Sequence, residues 1–207
     1  VHLKISSGML FEEFLQDLVD YKLYNPAWIK YKELPEYTYI TTNYRHYLQI
    51  IKECPYIAKY FTEQNNYYYP SRYTVHMVLS RGVMDEFRTH VGLSHLAEST
   101  RYCNYSKDKF NNQITFIQPS WIILDEEIAP INELCLFSGQ YDRENPNLRY
   151  LASLVDANYA YVLLLNKGWT PQQARDVLPL SVKSELISCG FEDAWENFFY
   201  RRCANDA

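Results

Sequence analysis

Residues 81–118, RGVMDEFRTHVGLSHLAESTRYCNYSKDKFNNQITFIQ, hold the densest chemistry of the chain. At their centre, Glu98-Ser99-Thr100-Arg101-Tyr102-Cys103-Asn104-Tyr105-Ser106-Lys107 gathers short hydroxyls, an arginine and a carboxylate into one turn-prone run. Serine and threonine compete for backbone hydrogen bonds and so favour turns and caps over helix interiors. An arginine among them presents a planar fork of donors suited to phosphate or carboxylate. Just upstream, Val83, Phe87 and Val91 form one helical stripe with Met84 and His95 near it. That spacing predicts a helix over 81–96, and the polar run predicts a loop over 97–112. Such a run after a helix can grip an anion with both backbone and side chain.

Outward from this centre, the pattern alternates between strand and helix. QITFI (113–117) predicts a short strand stopped by Pro119, and the mixed segment 120–146 has its loop at 138–146. Leu148, Leu151, Val155, Val162 and Leu163 mark the buried side of a helix over 147–167, which Gly168 stops. Thr170-Pro171-Gln172-Gln173 combines an N-cap, proline at the first helical position and a glutamine three residues after the cap. It predicts a short helix over 171–177, before Pro179. Residues 181–188 alternate as a strand, and 192–203 form a closing helix. On the other side, 72–80 and 37–42 read as strands, and 43–53 as a helix with Asn43 as N-cap. Residues 56–70 are aromatic and irregular. Residues 9–23 place Leu10, Phe11, Phe14, Leu15 and Leu18 at helical spacing. Strands and helices interleave without regular βαβ spacing, so the expected fold is α+β, mixed helices packed on a β-sheet, in a single domain over 1–207. Neither GxGxxG nor GxxxxGK[ST] occurs, which leaves the Rossmann and P-loop phosphate modes unsupported.

The 207 residues, 47% hydrophobic and 22% charged, suffice for one ordinary domain with a real core. No run of eighteen apolar residues exists, and the N-terminal segment lacks an apolar h-region. Five cysteines without paired spacing (Cys54, Cys103, Cys135, Cys189, Cys203) read as reduced thiols, so the expected setting is the cytoplasm, away from membranes. No Cys/His cluster suggests a metal site. The net charge of −5 argues against broad binding of nucleic-acid polymers but allows a mononucleotide, which needs only a local cluster of arginines.

The segment 81–118 resembles the signature region of the flavin-dependent thymidylate synthases, which runs Arg-His-Arg, seven residues, then Ser-x-Arg. Placing Ser99-Thr100-Arg101 on Ser-x-Arg puts the triplet on Thr89-His90-Val91, where only the central histidine is kept. Arg88 lies one position upstream of the triplet. A second block, 174–202, resembles the family's C-terminal region through its Ala174-Arg175-Asp176-Val177-Leu178-Pro179 core. Together the two blocks cover roughly a third of the chain.

The resemblance implies an enzyme that methylates dUMP to dTMP. Methylene-tetrahydrofolate gives the carbon, reduced FAD the hydride, and NADPH the reducing equivalents. It assigns Glu86, Glu98, Ser99, Arg101, Arg175 and Arg202 to the nucleotide, with Arg202 also catalytic beside the pyrimidine. It assigns Thr89, His90, Val91 and Asn197 to the flavin. It further implies a homotetramer with sites between subunits, which the twenty tyrosines would suit. From spacing alone, Glu86 reads equally as a helix-surface partner of Arg88 or His90, and Glu98 stays as open. The altered triplet supports an alternative: a nucleotide-binding homologue that has lost flavin chemistry.

Overall fold

His2-Leu3-Lys4-Ile5-Ser6 alternates polar and apolar residues, and in the computed structural model, which describes residues 1–107, 114–122 and 145–203, it forms strand β1 (His2–Ser6). Leu3 and Ile5 are buried, while Lys4 and Ser6 face out. Two further strands, β2 (Ile29–Glu33) and β3 (Tyr37–Thr42), join it with the two-residue β4 (Phe61–Thr62). The sheet runs β2-β3-β1-β4 with antiparallel pairs, Leu3 opposite Ile40 and Ile29 opposite Thr42. Strand β3 falls where its β-branched run predicts. Strands β1 and β2 go beyond the sequence reading, which took neither short alternation as a strand.

The described residues divide into two units, each drawn from separate segments of the chain. The first comprises Val1–Val75, His90–Ser94 and Ser188–Ala207. Its core packs helix α1 (Met9–Asp20), through Phe11, Phe14 and Leu18, against Leu3, Ile5, Ile29 and Ile40 of the sheet. Helix α2 (Tyr44–Glu53) adds Ile50. Asn43 caps α2 as expected, its side chain accepting from the His46 amide at 2.8 Å. The His46 ring lies buried between the Thr42 hydroxyl and the Leu23 carbonyl, each 2.8 Å away. A 3₁₀ turn at Pro55–Tyr60 contributes Ile57.

The second unit comprises His76–Thr89 and His95–Ile187. Strands β5 (Arg72–Ser80), β6 (Ser94–Ala97) and β7 (Lys183–Phe191) form a sheet in the order β5-β7-β6. Helix α3 (Arg81–Arg88) starts directly from β5, capped by the Ser80 hydroxyl. Its first amides donate to the Val182 and Leu180 carbonyls at 2.9 and 3.0 Å. Helix α4 (Pro146–Asn166) is capped by Asn145, and Gly168, just past its end, has a φ of 92° that favours a residue without Cβ. Helix α5 (Pro171–Ala174) continues into a 3₁₀ turn at Arg175–Val177. Tyr105, Ile114, Tyr161, Ala174 and Val182 form the second core and draw the turn after β6 onto α4 and α5. Helix α6 (Glu192–Arg202), in the first unit, follows β7.

The observed elements place the chain in the α+β class and correct several local expectations. The helix expected over 81–96 ends at Arg88, and its last part is strand β6. The cause is local: the Thr89 hydroxyl donates back to the Glu86 carbonyl at 2.7 Å, and Gly92 turns the chain at φ 101°. The Val83–Phe87–Val91 stripe is not a core face. Val83 and Val91 are exposed, and Met84 is the buried residue of α3. The strand expected over 113–117 reduces, in its described part, to a single antiparallel bridge between Phe116 and Val182. On α4, Leu163 is exposed, and Leu154 and Tyr161 take its place inside. The tip expected at 138–146 and Cys135 lie wholly or mostly outside the described residues. Among those residues, Cys54, Cys103, Cys189 and Cys203 form no disulfide, and no helix is long and apolar enough to cross a membrane.

Candidate functional site

Arg81 and Arg88 stand seven residues apart on α3. At about 100° per residue, that spacing returns them to within about 20° of each other on the helix face. Asp85 lies between them and binds both: Arg81 Nε donates to Oδ2 at 3.0 Å, and Arg88 Nη1 to Oδ1 at 3.3 Å. Each guanidinium carries five donors, so these bonds leave other donors of both forks for further acceptors. Arg81 also reaches the Glu98 carbonyl at 3.5 Å.

Both arginines line a cavity of about 240 Å³ in the second unit, together with His95, Ala97, Glu98, Ser99, Thr100 and Arg175. Strand β6 delivers His95 and Ala97. The turn that follows delivers Glu98, Ser99 and Thr100, held by amides of Tyr102 and Cys103 donating to the Ser99 carbonyl at 3.1 and 3.2 Å. Arg175 arrives from the 3₁₀ turn after α5, anchored by buried Ala174, and its Nη1 donates to Thr100 Oγ1 at 3.4 Å. Three guanidinium groups and two hydroxyls thus share one cavity with a single carboxylate.

That carboxylate, Glu98, is largely shielded and has its cationic partner on the sheet side. Lys183 Nζ lies 3.6 Å from its Oε2, and the Tyr105 hydroxyl donates to its Oε1 at 3.4 Å. Burial, then the negative charge of Glu98, push the Tyr105 hydroxyl well above the usual phenol range. Burial acts to lower the Lys183 pKa, but bonding to Glu185 and the charges of Glu98 and Glu185 outweigh it, so the net shift is upward. The arrangement favours an anion. Its volume, below the roughly 300–1,000 Å³ of pockets that enclose a whole drug-sized ligand, suits one small anionic group.

The residues singled out from sequence separate by location. Glu98, Ser99 and Arg175 line the cavity. Arg101, in the same unit, is exposed on the turn, with Nε donating to Gln172 Oε1 at 3.3 Å and its guanidinium 5.4 Å from the Tyr102 ring centre. Glu86 and Thr89 are exposed on and after α3, outside the cavity lining. His90, Val91, Asn197 and Arg202 belong to the first unit. There the buried His90 ring packs edge-on against Phe198 at 5.1 Å, and Val91 is exposed. Asn197 Oδ1 accepts from Arg201 Nε at 3.1 Å, and Arg202 is exposed in the last turn of α6.

Arg81, His95, Thr100 and Lys183 escaped the sequence reading as site residues, and Arg88 entered it only as the neighbour of the triplet and of Glu86. The seven-residue spacing of Arg81 and Arg88 around Asp85 was the available signal. Among the described residues, no group of three His, Cys, Asp or Glu side chains is placed to hold a metal ion.

Residues 70–207, two thirds of the chain, match the family model described as thymidylate synthase complementing protein. Every candidate residue lies inside that span, whereas β1 to β4, α1 and α2 precede it. No curated protein matches the chain.

Proposed function

Since the chain belongs to the thymidylate synthase complementing protein family, the flavin-dependent thymidylate synthases, we propose that its arginine-lined cavity receives the phosphate of dUMP for thymidylate synthase-type methylation. The observation that carries this reading is the grouping of Arg81, Arg88 and Arg175 with Ser99 and Thr100 around one cavity. A phosphate dianion takes charge-assisted hydrogen bonds from several guanidinium forks at once, while hydroxyls complete its remaining acceptor sites. Arg101, exposed on the same turn as Ser99 and Thr100, is assigned to the outer part of the nucleotide. A fixed cation near the pyrimidine carbonyl would stabilise negative charge developing on the ring. The resemblance gives that catalytic role to Arg202, which remains part of the proposal.

The flavin side departs from this picture. Reduced FAD supplies a hydride in the family's reaction, with methylene-tetrahydrofolate and NADPH as co-substrates. A flavin dinucleotide carries a pyrophosphate that calls for charged or backbone donors. The Thr89 hydroxyl is bonded to the Glu86 carbonyl, the His90 ring is buried against Phe198, and Val91 has no polar side-chain atom. The Asn197 amide oxygen is bonded to Arg201. This set of side chains, without a guanidinium or ammonium group, does not fit the pyrophosphate of FAD. The misfit favours a second reading, a nucleotide-binding homologue without flavin chemistry.

Calorimetry with dUMP and uridine tests the cavity assignment: dUMP binds and uridine binds much more weakly. Equal affinities would show that the phosphate is not the anchor. Absorbance near 450 nm after adding FAD, together with dTMP formation from dUMP, methylene-tetrahydrofolate and NADPH, separates the two readings. Binding of dUMP without either signal selects the homologue.

A further inference from the structure

Strand alternation places Lys183 and Glu185, two residues apart, on one face of β7, the central strand of the β5-β7-β6 sheet. On one side His76 of β5 meets Glu185, with Nε2 and Oε2 3.0 Å apart. On the other side Glu98 follows β6, its amide bonded to the Glu185 carbonyl at 2.8 Å. Lys183 bonds Glu185 and lies 3.6 Å from Glu98 Oε2. A chain of alternating charge therefore runs from Glu185, through Lys183, to the one carboxylate of the cavity, with the His76 ring bonded to its outer end.

We propose that Lys183 is a positioning residue that holds the Glu98 carboxylate away from the arginines of the cavity and so keeps their forks open to an anion. The inference rests on the dUMP-phosphate reading of that cavity.

The physical argument is one of competition. Glu98 lines the same cavity as Arg81, Arg88 and Arg175, and its side chain is only 12% exposed. A shielded carboxylate demands a cation, because an unpaired buried charge is strongly disfavoured. With Lys183 present, the demand is met from the sheet side, helped by the Tyr105 hydroxyl. Without it, the cations left around the cavity are the guanidinium groups that line it. Glu98 would then occupy a fork as an internal anion and exclude the phosphate. Glu185 secures the arrangement by tethering the ammonium, and His76 holds Glu185 in turn.

Lys183→Met tests this. The expected result is dUMP affinity weakened at least tenfold, measured by calorimetry. The second variant, Lys183→Met with Glu98→Gln, removes the stranded charge while keeping a polar side chain, and it regains most of the lost affinity. Lys183→Arg also retains binding. A merely structural lysine would show no such recovery, since the double variant lacks both partners of the pair. Three results overturn the inference: Lys183→Met binding dUMP as tightly as the wild type, the double variant binding no better than Lys183→Met, or Lys183→Arg binding as weakly as Lys183→Met. Should Lys183→Met fail to fold, the comparison of Lys183→Met/Glu98→Gln with the wild type decides, and a double variant without dUMP affinity overturns it. Failure of the wild type itself to bind dUMP would instead refute the underlying cavity assignment.

Discussion

Replacing Arg175 by alanine removes one of the three guanidinium groups from the cavity and little else. Among the described residues, the Arg175 side chain makes one long hydrogen bond, 3.4 Å to Thr100 Oγ1, and its backbone sits in a 3₁₀ turn that alanine also accommodates. The expected loss of folding stability is therefore under about 1 kcal/mol, the scale of a typical intramolecular hydrogen bond. Binding is affected differently. A hydrogen bond to a charged group contributes about 1.5–3 kcal/mol, so dUMP affinity falls by roughly 10- to 150-fold, at about 1.4 kcal/mol per factor of ten. Uridine affinity, which has no phosphate to lose, changes little. The assay pairs calorimetry for both ligands with thermal unfolding. Wild type gains stability as dUMP saturates it, and Arg175→Ala gains less at the same concentration. Unchanged dUMP affinity in a well-folded variant would refute the placement of the phosphate. A large fall in the unfolding temperature without ligand would instead mark Arg175 as a structural tether.

Arg101→Lys keeps the charge but loses the planar fork. Because Arg101 is exposed, its unfolding temperature stays near wild type while dTMP formation falls, and equal turnover would remove Arg101 from the site. Burial holds the His46 pKa below its usual 6.5 in the folded chain, so on acidification the unfolded ring takes up its proton first. The contribution of His46 to stability is whole above about pH 6.5 and declines below it. Unfolding temperatures from pH 5 to 8 should show this decline, and His46→Gln should flatten it; profiles of equal slope would count against the assignment. Burial, then the charge of Asp17, push the Cys54 thiol up to about 11, whereas Cys203 is exposed. Iodoacetamide at pH 8 should label Cys203 at least about tenfold faster than Cys54, as read by mass spectrometry of the peptides. Comparable rates would contradict the buried position of Cys54.

What was legible in the amino-acid order is what depends on neighbours close in the chain. Asn43 and Thr170 mark helix starts because capping needs only the next three residues. The Gln173 side chain reaches the Thr170 amide at 2.9 Å as the spacing predicts. Strands β3 and β5 match their expected bounds because β-branched alternation is a local signal. Glu98 and Ser99 line one cavity together because the turn that carries them is continuous in sequence.

Tertiary structure decided the rest, because the remaining features depend on which distant segments meet. Periodicity alone continued α3 through His95, yet β6 forms there, and pairing with β7 brings the Glu98 amide to the Glu185 carbonyl. The same pairing turns Lys183 and Glu185, unremarkable as a strand alternation, into the charged flank of a cavity. Arg81 and Arg88 could be read as a solvated helix face until the turn after β6 and the turn at Arg175 closed around them. Arginines at 81, 88, 101, 175 and 202 look alike in sequence. Burial of Ala174 and Tyr105 in one core brings Arg175 beside Thr100, and so adds it to the two arginines that α3 already presents.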